Sequence, residues 1–511
     1  MILLDGQTLS IANVIEVARK YKKVRLNSKA LSKVEKSHQR LEEILNKNIP
    51  IYGVNTGFGV FSSKKITLEE SKELNRNLIL SHAVGVGPFL LPEIVRAAML
   101  VRANTFAKGY SGVRSVIIET ILSMLNKGVT PMVKSQGSLG SSGDICMLAE
   151  MALVLSRDEA DLEEESGLAI YKGEISNGKK SMLEAGIQRI ELGPKEGLAI
   201  INGATFSAAL AAICIWDALF LCDNFDMALA LSLEALMGRS EAFDERLQNV
   251  RDLPGQKETA KNIRELIINS TFINSLPHIQ DAYSLRCGPQ VHGAVRDTVN
   301  FSSKIIGKEI NAATDNPLIF ENSDVLSGGN FHGEPIALAM DYLSIAISEL
   351  ASISERRIFR LLDENLSQGL PPMLVDEPRK AGLRSGLMIS QYTASSLVLE
   401  NKTLAAPDSI HSLPTSANQE DHNANSWTAV KHTFEIIENS FHVLAIELYI
   451  AAYAINIRKK KNPKYRLGIG TQKVFNQIRT IVPYKPGDTL WGKEIEILYQ
   501  GLRKQDLKLQ E

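Results

Sequence analysis

The residues best placed to do unusual chemistry lie in the stretch Ser135–Glu150, SQGSLGSSGDICMLAE. Its first half is almost entirely small, and glycine recurs at every third position from Gly137 to Gly143. Glycine reaches backbone conformations that are closed to other residues, so this spacing predicts a tight and unusual turn. Asp144 then begins the apolar run ICMLAEMALVL, which predicts a helix. A small-residue turn at a helix N-terminus can cradle an anion, form a plain flexible loop, or bring its own backbone atoms into reaction.

The reactive interpretation concerns the tripeptide Ser141-Ser142-Gly143. The amide nitrogen of Gly143 is unhindered and could attack the carbonyl carbon of Ser141 if the turn presses the two together. Loss of water from the new ring and from the Ser142 hydroxyl would leave a methylidene group on an imidazolone, an electrophile that no ordinary side chain supplies. A phosphate cradle is the weaker interpretation, because the stretch has no lysine and lacks the Gly-Lys-Ser/Thr ending of a P-loop.

Composition restricts the class of protein. The chain has 511 residues, enough for a large core, and its net charge of -1 predicts no bulk attraction to nucleic acid or to an anionic membrane. The four cysteines have neither metal-ligand spacing nor disulfide density, which is typical of the reducing cytoplasm. The start, MILLDGQTLS, has no basic region and carries Asp5, which predicts no signal peptide. Polar residues, Asp217 among them, interrupt the most apolar run, 198–221, so a buried helix is predicted there and not a membrane span.

Long helical periods dominate the chain from about residue 205. The predicted helices are Phe206–Met237, Gln256–Ile273, Gln290–Ile310, Glu334–Leu362, Gly386–Thr403 and Ser426–Ile457. Helices of this length predict a bundle, and the nearly all-apolar Val443–Ile457 predicts a buried helix of the kind often found between subunits. Residues 1–204 predict mixed short elements and carry the glycine turn. The sequence therefore predicts a mainly α protein with a smaller mixed N-terminal region, 1–204, and a long-helix bundle, 205–511.

Polar loops between these segments carry side chains that could bind a ligand. Tyr52 lies in a glycine-rich loop, His82 ends a helix beside glycines, and Asn202 stands before an apolar helix. Each of the three could equally have a structural role. Tyr52 could pack against the core, His82 could be hydrogen-bonded within the fold, and Asn202 could form a turn. Three further polar loops are 280–290, 327–333 and 416–422. Their histidines show no metal-ligand spacing on one helix, so no metal site is predicted.

Ten segments together resemble the histidine and aromatic amino acid ammonia-lyase family. They are YGVNTGFG, LSHAVGVG, VRANTFAKGYSGVR, GSLGSSGD, LAIING, QDAYSLRCGPQ, NAATDNPL, SGGNFHGEP, ISERRI and TSANQEDH, in the family's order from about residue 50 to 425. The resemblance implies a bundle of the aspartase/fumarase-like type and a homotetramer whose subunits share active sites. It also implies a 4-methylidene-imidazol-5-one group formed from Ser141, Ser142 and Gly143, with no external cofactor, and so favours the reactive interpretation of the turn.

The resemblance further implies catalytic and carboxylate-binding roles. Tyr52 and Tyr283 match the family's active-site tyrosines, with Tyr283 as the base that removes the β-proton. Arg286 would hold the substrate carboxylate, a role that suits the planar guanidinium. Asn202 would orient that carboxylate and the prosthetic group. Free tyrosine has a pKa of about 10, so Tyr283 needs nearby positive charge to lower its pKa if it is to act as a base. Arg286, three residues later in the sequence, could supply part of that charge.

The substrate's side chain would meet four other residues. Gln280 and Phe331 are implied to line the site, and His82 and Glu420 to address the side chain itself. The pair Ser81-His82 resembles the form that acts on L-histidine, which implies loss of ammonia to give trans-urocanate. The same chemistry on another aromatic amino acid, or a 2,3-aminomutase that adds the ammonia back, is the alternative. A helical scaffold without activity is a third interpretation, opposed by the retained serine, tyrosines and arginine.

Four departures from the family's pattern lie near the expected site. Ser141 occupies the position where the family has Ala, so the imidazolone ring would carry a hydroxymethyl group at that position. After Asp144 the usual Leu-x-Pro-Leu-Ala-His becomes Ile-Cys-Met-Leu-Ala-Glu. After Asn202-Gly203 the usual Thr-Gln becomes Ala204-Thr205, and after His422 the usual Val-Ser-Met-Gly becomes Asn-Ala-Asn-Ser.

Overall fold

Helices dominate the structure, a computed structural model that describes residues 1–47, 51, 54–57, 64–67 and 70–505. The helices are α1 Ile11–Ala18, α2 Ser28–Leu45, α3 Ser71–His82, α4 Pro92–Ala107, α5 Ser115–Lys127, α6 Ile145–Leu155, α7 Gly178–Glu184, α8 Glu196–Ile201, α9 Thr205–Ala235, α10 Glu245–Arg251, α11 Pro254–Leu266, α12 Tyr283–Arg286, α13 Gly288–Glu309, α14 Glu334–Leu362, α15 Met388–Leu404, α16 Ser426–Lys461, α17 Ile469–Ile481 and α18 Trp491–Arg503. The strands are β1 Ile2–Leu4, β2 Val24–Leu26, β3 Val86–Phe89, β4 Thr130–Pro131, β5 Lys134–Gln136, β6 Ser156–Arg157, β7 Leu168–Tyr171, β8 Glu174–Asn177, β9 Ile190–Glu191, β10 Leu318–Ile319 and β11 Val325–Leu326. Short 3₁₀ turns lie at Glu241–Phe243, Pro372–Leu374, Pro378–Lys380 and Ser416–Asn418. The predicted mainly α class is confirmed.

Periodicity located the long helices well, with one exception. The helix predicted as Gln256–Ile273 is α11, and it ends at Leu266. Beyond it Asn269 has a φ of +65°, which ends regular helix. The backbone there bonds to a later segment, because Thr271 N–H donates to the Arg466 carbonyl at 2.9 Å. Tertiary hydrogen bonds therefore replace the last two predicted turns.

The chain forms two compact units. The first consists of Met1–Trp216, Ser302–Asp341 and Pro407–Lys431, and the second of Asp217–Phe301, Tyr342–Ala406 and His432–Glu511. Helices α9, α13, α14 and α16 contribute residues to both. The predicted division into domains 1–204 and 205–511 stays a prediction.

The first unit contains all the named strands, paired in small sheets, around the buried helix α4. β1 pairs with β2 and β6 with β9 in parallel, β3 with β5 and β10 with β11 antiparallel, and β4, β7 and β8 form a three-stranded sheet. Every residue of α4 from Ile94 to Ala107 is buried, including Arg96 and Arg102. Arg96 donates to the carbonyls of Val17 and Leu125, near the C-terminal ends of α1 and α5. Buried guanidinium groups thus satisfy helix ends that would otherwise lack donors.

The second unit is a helical bundle tied together by one buried polar network. The Glu447 carboxylate of α16 accepts hydrogen bonds from Ser232 of α9 and Ser354 of α14, at 2.7 and 2.6 Å. Arg357 of α14 binds both oxygens of the same carboxylate at 2.6 and 2.8 Å. All four side chains are buried, so each charge is paired as burial requires.

Three helices are long and apolar enough to cross a membrane by length and composition, namely α9, α14 and α16. Within the protein, 83%, 67% and 83% of their most apolar windows are already buried. The predicted burial of Val443–Ile457 is confirmed through Ile455. That burial occurs within one chain, so the apolar character of this helix does not by itself require another subunit.

Candidate active site

The glycine turn predicted from the spacing is present, and its backbone leaves no room for a side chain at residue 143. Gly137, Gly140 and Gly143 have φ values of +141°, +66° and +100°. A Cβ added to Gly143 would lie 2.1 Å from the backbone nitrogen of Gly203. Only glycine fits at this position, because the neighbouring atoms belong to the backbone and cannot move aside as a side chain could.

A short backbone bridge joins this turn to residue 203. Asp144 N–H donates to the Gly203 carbonyl at 3.0 Å, and Gly203 N–H donates to the Ser142 carbonyl at 3.2 Å. The bridge uses neither the Ser141 carbonyl nor the Gly143 nitrogen. The two groups that must combine to form an imidazolone ring are therefore not engaged in it.

The buried Asp144 carboxylate holds the turn by hydrogen bonds. It accepts them from the Ser138 hydroxyl at 2.8 Å and from the Ser207 N–H and hydroxyl at 2.8 and 3.0 Å. Burial raises the pKa of Asp144 although these donors favour the charged form. The side chain fixes the turn to the start of α9.

Asn202 presents an unpaired amide oxygen. The residue caps α8, where its N–H donates to the Leu198 carbonyl at 3.0 Å, and it is 5% exposed. Its backbone carbonyl accepts a hydrogen bond from Arg102, which also donates to the Ala199 carbonyl at 2.9 Å. Its side-chain Oδ1 is buried and has no hydrogen-bond partner among the residues that the structure describes. A buried acceptor without a donor is suited to a bound ligand, because an unpaired polar atom is costly.

His82 is the last residue of α3 and lies beside the Ser81 hydroxyl, 3.0 Å from Nδ1. Burial lowers the pKa of His82, while the Leu78 carbonyl and the Glu420 carboxylate act in the opposite direction. Because its pKa is lowered, the His82 imidazole is uncharged near pH 7.

Glu420 lies in a loop held by its own backbone. Thr415 N–H donates to the Glu420 carbonyl at 2.8 Å, and the Thr415 hydroxyl donates to the Glu420 carboxylate at 3.1 Å. Next in this loop, the His422 ring stacks on that of His332, with centroids 6.1 Å apart and an angle of 9° between the planes. The His332 Nε2 lies 3.1 Å from the His422 carbonyl oxygen.

These groups surround one cavity of about 1160 Å³ in the first unit. The predicted site residues on its wall are His82, Ser141, Ser142, Asn202, Phe331 and Glu420. Lys64, Asn77, Asn316, His332 and His422 also line it without having been predicted to do so. His332, Asn316 and His422 lie within the motifs SGGNFHGEP, NAATDNPL and TSANQEDH, so the motifs carried the signal that could have found them.

Four further residues were predicted for the site. Tyr52 is outside the described residues. Gln280, Tyr283 and Arg286 belong to the second unit, where Gln280 is exposed and Tyr283 is 69% exposed. The Arg286 guanidinium carbon lies 4.5 Å from the centroid of the Tyr283 ring, so the cation lies over the ring as the three-residue spacing on α12 allows.

Two of the departures, Glu150 and Thr205, differ in their hydrogen bonding. The Glu150 carboxylate accepts hydrogen bonds from the N–H groups of Gly85 and Lys134, at 3.1 and 2.6 Å. It thus fastens the segment after His82 to α6. The Thr205 hydroxyl is buried without a hydrogen-bond partner in the described part of the chain.

Comparison with known proteins agrees with the resemblance found in the motifs. The model of the family "Aromatic amino acid lyase" matches residues 9–480. The histidine ammonia-lyase of Caldanaerobacter subterraneus subsp. tengcongensis is 46% identical over 481 residues, covering 94% of this chain and 92% of that protein. The histidine ammonia-lyase of Alkaliphilus metalliredigens is 46% identical over 488 residues, covering 95% and 93%.

Solved structures give the same answer for the fold. The tyrosine aminomutase of Streptomyces globisporus superposes with a TM-score of 0.92 at 33% identity, covering 99% of this chain and 97% of that one. The histidine ammonia-lyase of Trypanosoma cruzi superposes with a TM-score of 0.89 at 34% identity, covering 99% and 94%. With its motifs, its helical fold and its sequence in agreement over nearly the whole length, this chain belongs to the aromatic amino acid lyase family and is a carbon-nitrogen lyase.

Proposed function

We propose that this protein is a histidine ammonia-lyase, which removes ammonia from L-histidine and releases trans-urocanate. The observation that carries the proposal is that His82 and Glu420 line the same cavity as Ser142 and Asn202. Two relatives at 46% identity over more than nine tenths of the chain bear this name and support the same substrate.

The electrophile would be a 4-methylidene-imidazol-5-one formed from Ser141, Ser142 and Gly143, with no external cofactor. Three features fit this group: a position 143 that admits only glycine, a bridge that leaves the reacting backbone atoms free, and the unpaired oxygen of Asn202. Such a group supplies an electrophile for the substrate's amine, which turns nitrogen into a better leaving group. The chain's own residues must then hold the substrate and move its β-proton.

His82 and Glu420 would recognise an imidazole. The Glu420 carboxylate can accept the ring N–H, and the neutral His82 ring can exchange one further hydrogen bond with the other ring nitrogen. A phenyl ring offers no such group, so phenylalanine would form neither of these two hydrogen bonds in the cavity. Discrimination based on such hydrogen bonds is strong.

Tyr283 would be the base for the β-proton, and Arg286 would bind the substrate carboxylate. We assign Tyr52, Gln280 and Phe331 to the same site, as the family resemblance implies. Tyr283 is largely exposed, which suits a site completed by another subunit.

The assembly we propose is a homotetramer with shared active sites, located in the cytoplasm. Apolar side chains remain exposed in the second unit, where Phe301, Tyr342 and Ile345 line an apolar groove of about 740 Å³ and are each 47–48% exposed. Exposed apolar surface of this kind marks a contact with another protein. None of the four cysteines forms a disulfide, which is consistent with a reducing compartment.

A 2,3-aminomutase is the second candidate, because the tyrosine aminomutase of Streptomyces globisporus shares the fold over 99% of this chain. Two histidine ammonia-lyases are 46% identical to this chain, against 33% for this aminomutase, which favours elimination without re-addition. Among the described residues that line the cavity, none favours the aminomutase over the lyase.

Product analysis separates these candidates. Purified protein is incubated with L-histidine, L-tyrosine or L-phenylalanine, and urocanate, ammonia and β-amino acids are quantified. We expect urocanate and ammonia in equal amounts from L-histidine, at a kcat/KM at least about 100-fold above that for tyrosine. A β-amino acid as the main product, or comparable turnover of tyrosine, would contradict the proposal.

A further inference from the structure

The glycine turn is bonded to two of the loops that bring other side chains to the cavity. We name these the Phe331 loop, residues 327–333, and the Glu420 loop, residues 412–425. The Gly140 carbonyl accepts a hydrogen bond from Gly333 N–H at 2.8 Å. The Ser426 hydroxyl, at the end of the Glu420 loop, lies 3.4 Å from the same carbonyl. His332 also contacts the His422 carbonyl, which joins the two loops to each other. Each of the three segments, the turn and the two loops, is therefore bonded to the other two.

A second bond between the turn and the Glu420 loop depends on a side chain that the family pattern lacks. The Ser141 hydroxyl oxygen accepts a hydrogen bond from Ala424 N–H at 3.0 Å. Ser141 is 5% exposed and Ala424 is fully buried, so water does not replace either partner readily. An alanine at 141, the residue usual in the family, would offer Ala424 N–H no acceptor there.

The Glu420 loop is internally stiff around this point. Asn423 N–H donates to the Ser412 hydroxyl at 2.8 Å, and Asn425 Nδ2 donates to the carbonyls of Asp408 and His411 at 3.1 and 2.8 Å. A loop held by its own bonds moves as one piece, so a shift at Ala424 carries Glu420 with it.

We propose that Ser141 is a positioning residue whose hydroxyl holds the Glu420 loop against the prosthetic turn. The hydroxyl is not consumed when the ring forms. The Ser141 carbonyl oxygen leaves as water with the amide hydrogens of Ser142 and Gly143, and the Ser142 hydroxyl leaves as water with that residue's Cα hydrogen. The Ser141 side chain therefore fixes the distance between the electrophile and the Glu420 carboxylate. This positioning role rests on the proposed function and adds a residue to it.

Deuterium uptake and kinetics of the full-length protein test this role. In Ser141→Ala, we expect uptake by the peptide covering 413–425 to be about tenfold faster, because a buried N–H has lost its acceptor. The KM for L-histidine should rise about three- to tenfold with kcat changed by less than about twofold. The near-ultraviolet chromophore should persist, since ring formation uses only backbone atoms of residue 141. Ser141→Thr keeps a hydroxyl and should restore both uptake and KM toward wild type.

Ser138→Ala is the matched control. This serine lies in the same turn, and in the described part of the chain its hydroxyl bonds only to the Asp144 carboxylate and the Gly140 N–H. Its loss should leave uptake by the 413–425 peptide unchanged. Equal uptake in Ser141→Ala and wild type, an equal rise in both alanine variants, or loss of the chromophore in Ser141→Ala would overturn the positioning role. Uptake does not require turnover, so absence of urocanate from wild-type protein would refute the proposed function alone.

Discussion

Gly143 is a position of the candidate site that has no room for a side chain. Its φ is +100°, and a Cβ would lie 2.1 Å from the Gly203 backbone. We expect Gly143→Ala to distort the turn, abolish the near-ultraviolet chromophore and reduce histidine turnover at least 1000-fold. Gly128→Ala is the control, because Gly128 has a φ of +85° but nothing within 4 Å of the added Cβ. It should cost only about 1 kcal/mol of stability and keep the chromophore. A chromophore of normal intensity in Gly143→Ala would contradict the geometry of the turn.

His82 tests recognition of the substrate's side chain. The residue ends α3 and is only partly exposed, and its replacement by leucine keeps a similar volume. We expect His82→Leu to lower kcat/KM for L-histidine about 100-fold or more while shifting the unfolding midpoint by no more than a few degrees. Steady-state kinetics and thermal unfolding measure the two effects. A loss of activity that merely follows a large loss of stability would argue against a role in recognition.

Several site residues were predictable because each belongs to a short motif. His82, Asn202, Phe331 and Glu420 were identified in this way, and the structure brings them to one cavity. The interactions that hold them were not predictable. Arg102 contacts the Asn202 carbonyl across 100 positions of sequence, a pairing that exists only once the helices have packed.

At the scale of elements, hydrophobic period predicted the long helices and missed several shorter ones, α7 among them. Helix α14 has the predicted bounds Glu334–Leu362. Helix α7, Gly178–Glu184, lies in a segment whose polar composition predicts turns and short strands. The Asn177 side chain caps it by accepting a hydrogen bond from Lys180 N–H at 2.8 Å. Seven residues are too few for a helical hydrophobic period to be recognised. The N-cap residue Asn177 is therefore the one signal that could have predicted this helix.

Helix α13 ends at a carboxylate in an unfavourable setting. Burial raises the pKa of Glu309 to about 7, and a negative charge at a helix C-terminus opposes the helix dipole. Between about pH 4.5 and 7 the folded chain binds more protons at this site than the unfolded chain, so stability falls as pH rises through this range. We expect Glu309→Gln to match wild type near pH 4.5 and to have the higher unfolding midpoint above pH 7.

Thermal unfolding between pH 4.5 and 8 measures this difference. Glu119→Gln, at an exposed position of α5, is the control and should differ from wild type by a constant amount. A constant difference for Glu309→Gln as well would show that its ionisation does not affect folding.

At the scale of the whole molecule, the fold class followed from helix length and motif order, whereas the assembly did not follow from apolar content. The segment Val443–Ile457 is apolar, yet one chain already buries it through Ile455. The case for a tetramer therefore rests on the family resemblance and on exposed apolar side chains such as those of Phe301 and Tyr342.

Shared sites predict complementation between inactive variants. Ser142→Ala and Tyr283→Phe should each be inactive alone, because one lacks the electrophile and the other the base. After subunit exchange, a mixed tetramer contains sites with both groups intact, and we expect part of the histidine turnover to return. Light scattering establishes the oligomer and labelled subunits establish exchange. An active monomer, or no recovery despite proven exchange, would mean that one chain supplies the whole site.

The claim on which the proposed function depends most is that Ser141, Ser142 and Gly143 form a ring. Mass spectrometry of the peptide that contains this turn tests it directly, with Ser142→Ala protein as the reference for a chain that cannot form the methylidene group. We predict that the wild-type peptide, from protein prepared without any added cofactor, is lighter than its sequence mass by two water molecules. An unmodified peptide mass in wild-type protein that converts L-histidine to urocanate would contradict the account.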